Sequence, residues 1–265
     1  PSELFYQRML AGDPLEATEK AVAYLKERSL TSYYDEVALR GLELAQKDYA
    51  RGALDDERVT RIRTSLDELI DDLLDHDDKP RTPPPTNDPE AEAAVESSEH
   101  DHPAQLPVLR QEELQPAWQT ETPILVIAGR GPLDDAAARI LSQLLLKHGL
   151  KSRVLSWDAL STANLFRLDS AGVEMVCFSY LDPASVIPAR TGVKRVHRRI
   201  PNARTLVGLW RSSAPPQQVT PPVDILADHY ASTFNEALKI CIEEATGQPN
   251  PQVPSQVQPA REQAA

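Results

Sequence analysis

The sequence predicts an α/β fold, a parallel sheet of five strands preceded by a small all-α unit. Three observations carry this prediction. Short apolar runs alternate with amphipathic segments over residues 123–246, apolar residues recur at helical spacing over residues 1–78, and a proline-rich acidic stretch separates the two. Strands that alternate with helices build parallel sheets covered on both faces.

Residues 1–78 are predicted to be helical throughout. Asp13, Pro14 and Glu16 form a helix start, because Asp caps the helix, Pro fits its first turn and Glu suits the third position. Further helices are expected after Ser29 and over residues 59–73, with a short leading helix at residues 4–10. The unit is similar to a single tetratricopeptide hairpin, which cannot bury its apolar face alone, so we expect it to pack on something, such as a second copy.

Two segments are predicted to be disordered. Residues 79–122 form a linker in which prolines are mixed with Glu, Ser and Ala, and residues 247–265 form a tail of Pro, Gln and Ser. Neither composition buries enough apolar area to offset the entropy of the chain.

Residues 123–246 are predicted to form the α/β domain. We expect strands at residues 124–128, 152–156, 173–178, 205–209 and 223–227, and helices at residues 133–147, 158–168, 183–199 and 233–245. A proline-rich loop over residues 211–222 replaces the fourth helix. Five strands of this size are typical of the flavodoxin-like order 2-1-3-4-5.

Charge and composition exclude several classes of protein. The net charge is −12, and only residues 123–248 are basic, with 14 Lys/Arg against 11 Asp/Glu. An acidic surface argues against nucleic acid as a partner, because binding to nucleic acid depends on neutralising phosphates. Cys177 and Cys241 lie far apart without CxxC spacing, which predicts neither a disulfide framework nor a zinc site and favours a reducing, cytoplasmic compartment. No apolar run is long enough to cross a bilayer.

Ligands of such sheets bind beyond the carboxyl ends of the strands. The turn from Gly129 to Gly131 offers backbone N–H groups to an anion and Arg130 adds a positive charge, although Pro132 removes one donor. The alternative is that the glycines only shape the turn. Asp134 and Trp157 also follow predicted strands. The candidate ligand-binding residues are Gly129, Arg130, Gly131, Ser179, Tyr180, Trp210 and Arg211.

A basic run lies on the outer face of the predicted helix over residues 183–199. It is a candidate for contact with anionic lipid headgroups or with the acidic helical unit, and the alternative is an ordinary solvated face. The residues concerned are Arg190, Lys194, Arg195, Arg198 and Arg199.

The sequence contains no pattern that predicts catalysis. It has no nucleophile elbow, no Ser-His-Asp spacing and no paired carboxylates in a recognisable context. Cys177 is interpreted as a core residue, since an apolar strand raises the pKa of a thiol. His100 and His102 lie in the acidic linker, where a chelating site would have to order a flexible chain. We therefore expect no enzyme, no metal and no cofactor.

Four segments carry a resemblance to a family. Phe5-Tyr-Gln-Arg-Met-Leu-Ala-Gly-Asp-Pro14, Tyr33-Tyr-Asp-Glu-Val-Ala-Leu39, Ala128-Gly-Arg-Gly-Pro-Leu-Asp134 and Leu206-Val-Gly-Leu-Trp210 resemble the soluble cytoplasmic C-terminal extension of some proteobacterial permeases of the autoinducer-2 exporter-like family. The resemblance implies a non-enzymatic accessory or regulatory region that acts by protein interaction. It implies a cytoplasmic location tethered to the inner membrane, with the permease portion of the same parent chain as partner.

The α/β domain also resembles a cobalamin-binding domain. That family places a DxHxxG motif after the first strand, and its His ligates cobalt. This sequence reads Gly131-Pro-Leu-Asp-Asp-Ala136 there, without a His, and carries Trp210 where the family has a glycine pair near the nucleotide tail. The resemblance implies a degenerate cobalamin-binding-like domain. The alternative function is a small-molecule sensor that binds its ligand at the carboxyl ends of the strands.

Overall fold

The computed structural model describes residues 1–78, 106–182, 184–211 and 225–247. The linker histidines His100 and His102 and the proline-rich loop predicted to replace the fourth helix fall outside these ranges, apart from Arg211 at its start. The helices are α1 (Ser2–Ala11), α2 (Pro14–Leu25), α3 (30–50, with a π-helical segment at Tyr34–Ala38), α4 (Asp56–Asp72), α5 (Asp134–Lys147), α6 (Val186–Arg199) and α7 (Phe234–Thr246). The strands are β1 (Ile124–Ala128), β2 (Ser152–Leu155), β3 (Met175–Tyr180), β4 (Arg204–Leu209) and β5 (His229–Ala231).

The five strands are all parallel and follow the order β2-β1-β3-β4-β5, which confirms the predicted flavodoxin-like sheet. Successive side chains point to opposite faces. Those on one face, such as Val126 and Cys177, pack under α5 and α7. Those on the other, such as Ile127 and Phe178, pack under α6. Cys177 is fully buried, as expected, and its Sγ atom lies 3.9 Å from that of Cys241 with both thiols free.

The predicted helix starts in the helical unit are confirmed. The Asp13 carboxylate accepts a hydrogen bond from the N–H of Glu16 at 3.1 Å, with Pro14 in the first turn of α2. Gly12 ends α1 with a φ of 74°, a conformation that only glycine adopts without strain. Ser29 caps α3 in the same way as Asp13 caps α2.

The helical unit packs on α5 and α7 of its own chain, and its apolar residues join the core of that side of the sheet. The Tyr34 hydroxyl donates to the side-chain carbonyl of Gln143 on α5, and the Gln143 amide donates to the carbonyl of Ile70 at 2.6 Å. The Asp35 carboxylate accepts hydrogen bonds from the backbone N–H groups of Phe234 at 2.8 Å and Asn235 at 3.0 Å. The face predicted to need a partner is therefore covered within one molecule.

A buried polar cluster around His148 holds the C-terminal end of the helical unit against the α/β domain. The ring nitrogens of His148 lie 3.0 Å from a carboxylate oxygen of Asp78 and 2.8 Å from the carbonyl oxygen of Pro107. Thr31 donates to the same carboxylate through its hydroxyl and its backbone N–H. Burial opposes ionisation of Asp78, but the hydrogen bonds from His148 and Thr31 outweigh it and lower its pKa.

Residues 106–122 are folded, so the prediction of disorder over residues 79–122 is wrong for this part. Two 3₁₀ turns, Gln111–Glu113 and Pro116–Trp118, run beside α7, and the N–H of Gln115 donates to the carbonyl of Ala245 at 2.8 Å. The apolar residues are too widely spaced to show a period, yet Leu106, Leu109, Leu114 and Trp118 are all buried. Residues 79–105 and 248–265 lie outside the described ranges.

Three element predictions need correction. The predicted helix over residues 158–168 is replaced by two 3₁₀ turns, Trp157–Leu160 and Leu165–Arg167. Strand β3 begins and ends two residues later than predicted, and β5 lies at His229–Ala231 instead of residues 223–227. For β3 and β5, a local apolar cluster was interpreted as the strand, whereas pairing with the neighbouring strand sets its position.

Candidate ligand crevice at the carboxyl ends of the strands

The candidate residues of β3 lie on opposite faces of the sheet. Because β3 continues to Tyr180, Ser179 and Tyr180 belong to the strand itself and alternate in direction. Ser179 bonds with Trp210 on the side of α5 and α7, whereas Tyr180 packs with the core under α6. Ser179 and Trp210 therefore lie on one side of the sheet, and Tyr180 lies on the other.

The β1–α5 turn is closed by its own carboxyl group, that of Asp134. The N–H of Gly131 donates to Asp134 Oδ2 at 2.8 Å, and the N–H of Leu181 donates to Asp134 Oδ1 at 2.8 Å. The N–H of Gly129 is also engaged, with the carbonyl of Ser179 at 2.9 Å. Burial raises the pKa of Asp134, while the two backbone hydrogen bonds oppose that rise. Two of the backbone donors that the sequence offered to a ligand, the N–H groups of Gly129 and Gly131, are thus already engaged within the chain.

Trp210 fills the space above the sheet on the side of α5 and α7. Its side chain is 1% exposed and its ring lies 4.8 Å from that of Phe234, between centroids. The indole N–H donates to Ser179 Oγ at 2.8 Å, and that hydroxyl donates to the carbonyl of Asp134 at 3.3 Å. Gly208 permits this position, because a Cβ there would lie 2.3 Å from the Trp210 ring atoms Cζ2 and Cη2.

The group on the α6 side is aromatic. The Tyr180 ring is parallel to that of Phe178, with 6.4 Å between centroids, and lies 6.4 Å from the ring of Trp157. The guanidinium of Arg130 sits 5.0 Å from the Trp157 ring, a cation–π contact. Among the described residues, no hydrogen-bond partner faces the buried Tyr180 hydroxyl or the buried Trp157 indole N–H. Burial raises the pKa of Tyr180 far above the physiological range, so its hydroxyl keeps its proton.

Arg211 lies at the end of β4. Its backbone N–H donates to the carbonyl of Ser232 at 2.9 Å, which extends the pairing towards β5. Its Nε atom is buried and has no hydrogen-bond partner in the described part of the chain.

The basic run on α6 divides into two sets. Arg195 donates to the carbonyl of Leu160 at 2.7 Å, and Arg199 donates to the carbonyls of Leu165 and Leu168 at 3.2 and 3.0 Å. These two arginines hold the 3₁₀ turns between β2 and β3 against the helix. The other three, Arg190, Lys194 and Arg198, form no ion pair with any residue in the described ranges.

Within the described ranges, no group of three or more His, Cys, Asp or Glu side chains is arranged to hold a metal ion. The same residues contain no helix of the length and apolar character that a bilayer span requires.

Sequence reasoning missed Asp35, which joins the helical unit to the N-terminus of α7. Burial raises the pKa of Asp35 to about 7, and the hydrogen bonds from Phe234 and Asn235 oppose the rise. The local sequence shows only an ordinary helical position, because its partners lie about two hundred residues away along the chain.

No protein-family model matches the chain, and no curated protein matches it. Among solved structures, the monomethylamine corrinoid protein of Methanosarcina barkeri has 12% sequence identity and a TM-score of 0.51, over 91% of this chain and 97% of that one. A cobalamin-binding protein of Desulfitobacterium hafniense DCB-2 has 13% identity and a TM-score of 0.38, over 92% and 98% of the two chains.

The likeness to the Methanosarcina protein extends over both parts of the molecule, the helical unit and the α/β domain. At this level of identity it shows the fold alone. The residues present here do not fit a cobalamin, because no His follows β1 in the turn from Gly131 to Ala136 and Trp210 fills the space beside α7. The chain therefore has a cobalamin-binding-like fold whose crevice on this side is closed by its own side chains.

Proposed function

We propose that this chain is a non-enzymatic accessory region of a membrane permease and acts by protein interaction. One observation carries the proposal: Trp210, bonded to Ser179, fills the space in which a sheet of this kind would receive a ligand beside α7. A domain whose crevice is filled by its own side chains can still bind another protein through its outer surface. The permease portion of the same parent chain is the proposed partner, on the strength of the four resembling segments, and it would tether the region at the cytoplasmic side of the inner membrane.

The shared core of the two parts supports an assembly role. Tyr34 and Asp35 connect the helical unit to α5 and α7. A partner that binds one part is therefore linked, through these contacts, to the other part. This arrangement fits a region that acts through contacts with another protein, and such a role requires no bound small molecule.

The first test measures ligand binding. The purified chain is titrated with hydroxocobalamin, adenosylcobalamin, flavin mononucleotide and adenosine nucleotides while its melting temperature and the visible absorbance of each cobalamin are recorded. We expect neither to change. A rise in melting temperature that saturates with a cobalamin, together with a spectral change, would overturn the closed-crevice interpretation.

The second test concerns the partner. The coding sequence upstream of Pro1 is determined, and any hydrophobic spans that it encodes in the same reading frame are produced as a separate membrane protein. We expect the tagged chain to retain this protein in detergent and to leave an unrelated permease of similar size in solution. Absence of such spans, or equal retention of both membrane proteins, would contradict a permease role.

A second candidate function is a sensor of a small anion on the α6 side of the sheet. The observation that favours it is a pair of buried donors without a partner in the described part of the chain, the Tyr180 hydroxyl and the Trp157 indole N–H, with the guanidinium of Arg130 over the Trp157 ring. Buried donors without partners are uncommon and are met best by a ligand that only accepts hydrogen bonds, such as a phosphate or a carboxylate. A phosphate titration should stabilise the wild type more than the variants Tyr180→Phe and Arg130→Gln, and equal responses would exclude this site.

A further inference from the structure

Helix α6 carries a strong positive charge on an otherwise acidic protein. It contains five Lys/Arg and no Asp or Glu, whereas the whole chain has a net charge of −12. Arg190, Lys194 and Arg198 are four residues apart, so they lie along one face of the helix. Lys194 and Arg198 are exposed and Arg190 is partly exposed, and none of the three has an ion-pair partner among the residues described.

This face is rigid, because the opposite face of α6 belongs to the core. Ala189, Val193 and Val196 are buried under the helix. Gly192 allows α6 to lie close to the sheet, since a Cβ there would lie 2.7 Å from Phe178 Cε1. The three basic side chains are thus presented on a helix whose position is fixed by the sheet.

One exposed apolar side chain lies on α6 itself, and another lies in a turn that is bonded to α6. Ile187, in the first turn of α6, is 67% exposed, and Phe166, in the 3₁₀ turn between β2 and β3, is 78% exposed. Arg199 fixes that turn to α6 through the carbonyls of Leu165 and Leu168. Large apolar side chains beside unpaired basic ones are typical of surfaces that lie on a membrane interface.

Asp169 and Asp182 lie in turns before α6, and neither forms an ion pair with Arg190, Lys194 or Arg198 among the described residues. Asp169 accepts a hydrogen bond from the N–H of Ala171 at 3.2 Å, and Asp182 accepts one from the N–H of Ala184 at 2.8 Å.

We propose that the α6 face, defined as Ile187, Arg190, Lys194 and Arg198 together with Phe166, binds an anionic lipid surface. The basic side chains would pair with headgroups, and the two apolar side chains would enter the interface. The acidic remainder of the chain would be repelled by the same surface, so the protein would bind in one orientation. This inference does not depend on a permease partner, because it concerns lipid alone.

An acidic polypeptide is the rival occupant, and the exposed apolar residues favour lipid over it. A polypeptide rich in Glu, including the acidic stretch within residues 79–105, would use the charges of the face but gain little from Phe166 and Ile187. The two occupants therefore differ in their dependence on these side chains.

The experiment is flotation of the whole chain with vesicles of phosphatidylcholine, with and without phosphatidylglycerol, at low and high salt. We expect binding only to the vesicles that contain phosphatidylglycerol, and we expect high salt to weaken it. Each basic residue near such a surface strengthens binding about fivefold, so the triple variant Arg190→Gln, Lys194→Gln, Arg198→Gln should bind about 100-fold more weakly.

The matched control changes three exposed basic residues of the helical unit by the same charge: Lys20→Gln, Arg40→Gln and Lys47→Gln. It should bind vesicles as the wild type does. The variant Phe166→Ser, Ile187→Ser should also lose vesicle binding while its retention on immobilised polyglutamate is unchanged.

Three results would overturn the proposal. The first is absence of binding to phosphatidylglycerol vesicles, and the second is an equal loss in the control triple variant, which would indicate a general effect of net charge. The third is tighter binding to polyglutamate than to vesicles with no effect of the Phe166 and Ile187 changes, which would assign the face to an acidic polypeptide.

Discussion

The indole N–H of Trp210 donates to the hydroxyl of Ser179 at 2.8 Å, across the ends of two adjacent strands. This contact joins the β1–α5 turn to the start of α7, since Ser179 also donates to the carbonyl of Asp134 and the Trp210 ring packs on Phe234. The filled crevice is therefore a bonded part of the core, and its contribution to stability can be measured.

Replacing Trp210 should destabilise the protein and open a cavity. Trp210→Ala removes a fully buried ring, and we expect the free energy of unfolding in urea to fall by about 3–5 kcal/mol. Trp210→Phe keeps most of the packing but loses the bond to Ser179, with a smaller loss of about 1–2 kcal/mol. Added indole should raise the melting temperature of Trp210→Ala and leave that of the wild type unchanged, and an equal response of both proteins would contradict a cavity at this position.

Gly208 and Trp210 should be coupled. A methyl group at residue 208 would collide with the Trp210 ring, so Gly208→Ala should lower the free energy of unfolding by about 1–3 kcal/mol. In the Trp210→Ala background the ring is absent, and the same change should cost less. A double-mutant cycle from urea denaturation gives the coupling energy, and strict additivity of the two changes would show that the ring does not lie over Gly208.

Asp35 should make stability depend on pH in a defined direction. Its pKa rises from the ordinary 3.8 to about 7 because it is buried, so between these values the native state keeps a proton that the unfolded state has lost. The contribution of Asp35 to the free energy of unfolding is therefore fully present below about pH 4. It is lost as the pH rises to about 7, with a total loss of about 4 kcal/mol.

Asp35→Asn removes this titration. Its stability relative to the wild type should rise between about pH 4 and pH 7 and then stay constant. The matched control is Asp55→Asn, which alters the cap of α4 at the surface, where the carboxylate accepts from the N–H of Arg58 at 2.8 Å. A parallel pH dependence in both variants would contradict the assignment to Asp35.

Replacing either His148 or Asp78 should lower the free energy of unfolding. Both ring nitrogens of His148 face acceptors, and the carboxylate of Asp78 is buried. His148→Ala leaves that buried carboxylate without its hydrogen-bond partner on the ring, and we expect a loss of about 1–3 kcal/mol in the free energy of unfolding at neutral pH.

The sign of the pH effect is opposite to that of Asp35. The pKa of Asp78 is lowered in the native state, so its contribution is present above the ordinary pKa of an aspartate and is lost as the pH falls through the native value. Acid unfolding should therefore begin at a higher pH in Thr31→Val, which removes one donor to Asp78. An unchanged acid transition in this variant would show that the cluster does not hold the carboxylate ionised.

The sheet order was predictable because β1, β3 and β4 are short apolar runs and the helices α5, α6 and α7 have a clear helical period. The interior of the site was not predictable, for two physical reasons. A shift of two residues in β3 moved Ser179 and Tyr180 from a loop into a strand, where they face opposite sides. The contacts of Tyr34 with Gln143 and of Asp35 with Phe234 join residues more than one hundred positions apart, and no local pattern encodes them.

The functional residues divide in a similar way. The basic run on α6 was visible in the sequence. Its division into two sets was not, because Arg195 and Arg199 donate to carbonyls of 3₁₀ turns that the periodicity did not predict. The other three basic residues form no ion pair within the described ranges. Asp134 was visible as a residue after β1, although only the folded turn shows that its carboxylate accepts the N–H of Gly131, a predicted donor to a ligand, and the N–H of Leu181.

The position of His148 joins two separate parts of the chain through one side chain. The chain leaves the helical unit at Asp78 and enters the next packed segment at Pro107, and both residues contact the same imidazole. The two ends of the intervening stretch are therefore held side by side. A substitution at His148 would therefore remove a contact from both ends at once, from Asp78 of the helical unit and from Pro107 of the segment that runs beside α7.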